Sequence, residues 1–121
     1  MNRAQRLSAY WKQRPAVRAT VWERDGRRCR ACGTITLWLS WREAQSWDFV
    51  AQMHELRPRS LGGSGLDIRN VIALCPQCHH DVSMRLGGRK LTITPLTDKG
   101  ANGPVRMKWT DGRTCISDVR D

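Results

Sequence analysis

Apolar residues fall at helical spacing in two stretches before residue 25. Leu7, Tyr10 and Trp11 share one side of residues 2–12, and Val17, Val21 and Trp22 recur beyond Pro15. Proline suits the first turn of a helix, where its missing N–H would have no partner anyway. The pattern therefore predicts a short helix, a break, and a second helix opening at Pro15. Arg24-Asp25-Gly26 is a turn signal that ends it. Ser40-Trp41-Arg42-Glu43 fits a capping box and predicts a short helix over 41–47. Residues 48–56 and 70–74 read as strands, joined by a loop over 57–68 that carries Gly62, Gly63 and Gly65. Pro76 opens a helix expected to run to about Leu86 and to stop at Gly87-Gly88. The tail then alternates with period two in Leu91-Thr-Ile-Thr94 and Val105-Arg-Met-Lys-Trp109, with Asp111-Gly112 as a turn. That predicts a β-hairpin or meander. The chain reads as one small α+β domain without internal repeats.

Charge sharpens this picture. Lys and Arg number 21 against 11 Asp and Glu, a net charge of +10, with an isoelectric point near 10.5. A surplus of that size on 121 residues favours a polyanionic partner, because each neutralised phosphate releases counterions. The segment up to Arg30 concentrates Arg3, Arg6, Lys12, Arg14, Arg18, Arg24, Arg27, Arg28 and Arg30, and it reads as a phosphate-contacting surface. No apolar run approaches the ~20 residues that a membrane span needs. Residues 1–14 are basic but lack the apolar stretch of a signal peptide, so a cytoplasmic location is expected.

In a reducing compartment, paired Cys-x-x-Cys units read as metal ligands rather than disulfides. Cys29, Cys32, Cys75 and Cys78 make such a set, the soft, closed, tetrahedral donor group of structural zinc. Gly33 permits the tight turn after the first pair. Cys115 is left over and is expected to be a small buried side chain. Trp38, Trp41 and Trp47 are expected in the core, although stacking on bases is the other use of such rings.

The residues Cys29-x-x-Cys32-Gly33, His54-Glu55, Pro58, Gly62-Gly63, Asn70 and Leu74-Cys75-x-x-Cys78-His79 resemble the HNH (His-Asn-His) endonucleases with the ββα-metal fold. The likeness covers residues 16–86. It implies a basic arm over 1–15, a zinc-stapled ββα-metal core over 16–86 and a β extension over 87–121. The interval between the first cysteine pair and His54 is longer than is usual in that family, so the tryptophan segment looks like an insertion.

The resemblance implies metal-dependent hydrolysis of DNA phosphodiester bonds. His54, Asn70 and His79 fall at positions that hold a catalytic divalent ion, Mg²⁺ or Mn²⁺, and Asn70 alternatively organises the loop. Glu55 falls where the family carries its general-base histidine. A carboxylate is a weaker base than imidazole at neutral pH unless burial raises its pKa. Three readings therefore stand: Glu55 is the base or an extra ligand, His54 does the base work, or Glu55 only pairs with an arginine. His80 is a reserve ligand. Arg27 and Arg28, and Arg57 and Arg59 beside the Gly-rich loop, are the expected contacts to DNA, chiefly duplex. A monomer with one such site would nick, whereas a dimer could cut both strands. A catalytically impaired, zinc-stabilised DNA-binding module is the alternative, with a phage packaging or recombination accessory as a further one. A phage origin would place the protein in host cytoplasm.

Overall fold

The computed structural model describes residues 2–38, 49–83 and 90–119. The chain is mixed α+β, with two α-helices and two small sheets among the described residues. The helix expected over 41–47 and the expected end of the later helix near Leu86 lie outside the described residues.

Helix α1 (Arg3–Arg24) is continuous, so the expected break at Pro15 does not occur. Asn2 caps its start reciprocally: its Oδ1 accepts from Gln5 N at 2.8 Å and its N–H donates to Gln5 Oε1 at 2.8 Å. Pro15 still removes one helical hydrogen bond. Burial offsets that loss. Val21 packs with Val71 and Ala73 in a small apolar cluster, bordered by Val17, Met53 and Ile68. Local propensity is weak against such tertiary contact.

Strands β1 (Gln52–Glu55) and β2 (Val71–Leu74) pair antiparallel, with His54 opposite Ile72 and Glu55 opposite Val71. Successive residues of a strand point to opposite faces. One face of this hairpin therefore carries Met53, Val71 and Ala73 toward α1. The other carries Ile72 and Leu74 into the main core with Cys29, Leu91, Val105, Met107 and Trp109. All four residues of β2 are buried. Helix α2 (Pro76–Ser83) follows directly. The tail is a three-stranded antiparallel meander of β3 (Leu91–Pro95), β4 (Val105–Trp109) and β5 (Thr114–Ser117) rather than a single hairpin. Its central strand buries Val105, Met107 and Trp109 and exposes Arg106 and Lys108, as its alternation predicts. Cys115 is exposed, contrary to expectation. It sits on the outermost strand, where its Sγ donates a long hydrogen bond to the Ala31 carbonyl oxygen at 3.9 Å.

An internal ion network joins these pieces. Asp25 and Arg30 are wholly buried and 2.8 Å apart. Asp25 also accepts from Arg24 Nε at 2.8 Å and from the backbone N–H of Ala73 at 2.9 Å. Arg30 donates onward to the carbonyls of Ala101 (2.8 Å) and Gly103 (3.0 Å), and to Ser117 Oγ at 3.0 Å. Arg24 reaches the carbonyls of Ile68 and Val71. Arg24 and Arg30 therefore leave the phosphate-contacting set. Their charges are spent inside, where every donor finds an oxygen. Removing one partner of a buried pair strands the other charge. Asp25→Ala is expected to lower stability by about 3–5 kcal/mol. Urea unfolding of the two proteins measures it.

Candidate functional site

Cys29 and Cys32 sit on a tight turn beyond α1, closed by Cys29 N–H to Thr34 O (2.8 Å) and Gly33 N–H to Cys29 O (2.9 Å). Gly33 takes a positive φ of 79°, which a side chain would resist. Cys75 immediately follows β2 and Cys78 lies in the first turn of α2. The fold brings the four sulfurs within 4.8 Å of one another. Cys32 and Cys75 Sγ are 3.7 Å apart. Four sulfurs each ~2.3 Å from one zinc ion stand about 3.8 Å apart in a tetrahedron, so the spacing suits that ion. Cys29, Cys75 and Cys78 are buried and Cys32 is at the surface.

Thiols this close cannot all ionise unaided. Hydrogen bonds from Cys29 and Cys78 hold the Cys75 thiol far below its usual range. Cys29 is pushed up mainly by the same bond to Cys75, and Cys78 by its bonds to Cys29 and Cys75. A cation among them stabilises all four as thiolates. The cluster has the donor set and spacing of a structural metal site consistent with zinc, as its sequence spacing predicts.

Anchoring the start of α2 in this way places His79, whose N–H donates to Cys75 O at 2.9 Å. His79 faces His54 across the gap between α2 and β1, with ring centroids 6.0 Å apart at 69°. Both rings are half-buried. Burial, with a smaller contribution from His79, pulls the His54 pKa down to about 4, and burial lowers that of His79. Both imidazoles are therefore neutral near pH 7, the form in which histidine binds a metal. His80 is exposed on α2.

Asn70 belongs to the loop. Its Oδ1 accepts from Arg57 N–H at 2.8 Å, and its Nδ2 donates to the carbonyls of Arg57 (2.9 Å) and Ser64 (3.1 Å). Of the two expected roles, its contacts display the organising one, and we set the ligand role aside. Gly63 completes that clamp: a Cβ there would stand 1.7 Å from the Arg57 carbonyl oxygen. No side chain fits.

Glu55 faces away from the two histidines, because it is the next residue along the strand. It lines a small cleft with Tyr10, Arg14, Arg18 and Gly65. A Cβ on Gly65 would meet Tyr10 Oη at 2.5 Å and Glu55 Oε1 at 2.7 Å. Arg59 lies 3.9 Å from Glu55, donates to Tyr10 Oη at 2.8 Å, and covers the Tyr10 ring at 4.3 Å. The arginine-pairing reading is the one these contacts display. Among the other arginines expected at DNA, Arg57 is exposed, Arg27 pairs with Glu23 at 2.8 Å, and Arg28 donates to Gly33 O at 3.1 Å.

Two groupings escaped the sequence reading. One is the Asp25–Arg30 network, whose partners are up to 87 residues apart. The other is a set of arginines stacked on Trp11, Trp22 and Trp38. The spacing of Trp11, Arg14 and Arg18 on one helix would have revealed part of it, had Pro15 not been read as a break.

Comparison of the chain with protein-family models, with curated proteins and with solved structures gives no match. Among the described residues, no helix is long and apolar enough to cross a membrane.

Proposed function

We propose that the protein is a metal-dependent endonuclease that hydrolyses DNA phosphodiester bonds, as its resemblance to the HNH endonucleases implies. The observation that carries this reading is the His54–His79 pair, 6.0 Å apart, on a β1–β2 hairpin and a helix anchored by the cysteine cluster. Two neutral imidazoles are too few to enclose a cation, so positions remain for water and a phosphate oxygen. A divalent ion there would polarise the scissile phosphate and acidify its own water. His54 and His79 hold that ion. Asn70 shapes the loop beside them, and Arg57, exposed on that loop, meets a flanking phosphate. Glu55 stays outside the reaction and fastens the loop to α1 through Arg59 and Tyr10.

Supercoiled plasmid is expected to become nicked when Mg²⁺ or Mn²⁺ is added to zinc-loaded protein, and to stay intact without an added ion. Binding to a labelled duplex is expected to weaken at least about tenfold between 50 and 200 mM salt, given the +10 charge. One observation favours a second reading, a zinc-stabilised DNA-binding module without catalysis: the residue at the general-base position is turned toward Arg59. Salt-sensitive binding with no nicking under either ion selects that reading.

A further inference from the structure

Trp11, Arg14 and Arg18 form a stripe along α1, and Trp38 stands against it across a groove of about 110 Å³ that they line with Pro15. Trp11 is 57% exposed and Trp38 38% exposed, so the expectation that Trp38 fills the core fails. The arginines cover the rings: Arg14 lies 5.1 Å from the Trp11 centroid and Arg18 5.5 Å from that of Trp38. Behind them, Trp22 braces Trp38 at 5.6 Å, tilted by 33°, and is itself fixed by its Nε1–H donating to Thr36 Oγ1 at 2.9 Å. Trp38 is thus held in place.

The electrostatics of the groove are unbalanced. Among the described residues no carboxylate forms a salt bridge with Arg14 or Arg18; Glu55 borders the adjoining cleft but pairs with Arg59. Among the described residues, Arg18 Nε is buried without a hydrogen-bond acceptor. A buried donor left unpaired is costly, and two neighbouring cations repel. An occupant that relieves both must bring anionic oxygens. One that also uses exposed indole faces must bring a flat π-system. A nucleotide offers both at the right scale, a base joined to phosphates. In a duplex the base faces are hidden by stacking, so the base must be unpaired.

We infer that this groove binds single-stranded nucleic acid, with an unpaired base stacking against Trp11 and Trp38 while Arg14 and Arg18 take the adjacent phosphates. The surface is distinct from the His54–His79 pair, since Arg14 and Arg18 border the Glu55 side of β1. The inference does not depend on cleavage.

Fluorescence anisotropy without added divalent ion tests it, using the zinc-loaded full chain with a labelled oligothymidylate, an abasic strand of equal length and charge, and a blunt duplex. The oligothymidylate is expected to bind about tenfold more tightly than the abasic strand. Trp11→Ala should erase that preference, and Trp11→Phe should retain most of it. Arg14→Gln should weaken both single strands alike and reduce the salt dependence by about one phosphate contact. Equal binding of the thymidylate and abasic strands overturns the inference. So does a Trp11→Ala protein that keeps the preference, or competition by polyglutamate as effective as that by oligothymidylate. Plasmid nicking without any base preference rejects the groove alone. A base preference without nicking rejects the nuclease reading alone.

Discussion

His79→Ala is expected to abolish DNA cleavage while zinc content, fold and DNA affinity stay near parental levels. The imidazole projects from α2 one residue beyond Cys78, toward His54 rather than into the sulfur cluster. Under the proposed function, its removal would deprive only the catalytic ion of a ligand. A bound divalent ion contributes several kcal/mol of transition-state charge stabilisation, so the rate should fall by at least about 10². His54→Ala should behave alike. Two controls separate site from surroundings: Glu55→Gln, on the opposite face of β1, should keep cleavage within about tenfold, and His80→Ala should be silent. A His79→Ala protein that cuts at the parental rate would remove the histidine pair from the reaction. Loss of zinc along with activity would move His79 into the cysteine cluster. A Glu55→Gln protein slowed by the ~10²–10⁴ typical of a lost general base would return Glu55 to the chemistry.

Cys75→Ser is expected to unfold the protein. Cys29, Cys75 and Cys78 belong to the main core, alongside Ile72, Leu74, Leu91 and Met107, so the cluster and the core are one structure. A domain of this length gains only about 5–15 kcal/mol from folding, whereas a structural zinc site contributes on the order of 10–16 kcal/mol. Loss of one thiolate therefore removes stability comparable with the whole. Metal analysis should find one zinc per parental chain. Circular dichroism should show the variant unfolded, or melting far below the parent and unresponsive to zinc. Cys115→Ser is the matched control. Exposed on the outermost strand, it should leave zinc content and melting unchanged. Soluble, folded protein without zinc would sink the assignment.

Much of this architecture is legible as local pattern. The period-two alternation over Val105–Trp109 announces a strand with one buried face, and it is one. The two cysteine pairs announce a single cluster because Cys-x-x-Cys spacing turns both sulfurs to one side. Alternation along β1 foretells that His54 and Glu55 diverge. Pro15 shows the limit of such reading: the helix continues through it because Val17 and Val21 gain more from packing on β2 than the missing hydrogen bond loses.

The sequence by itself determined the element types, the metal-binding set and the basic balance, because each depends on residues close in the chain or on composition. Tertiary structure alone decided which charges face solvent. Arg24 and Arg30 look the same as Arg27 and Arg28 in sequence, yet the first two are enclosed by the neighbouring Asp25 carboxylate and by carbonyls from distant segments. It also decided that Trp38 faces the arginines of α1, and that Glu55 meets Tyr10 and Arg59 instead of the histidines. Each of those outcomes includes a contact between segments far apart in the chain. A residue's type does not reveal which distant atoms will surround it.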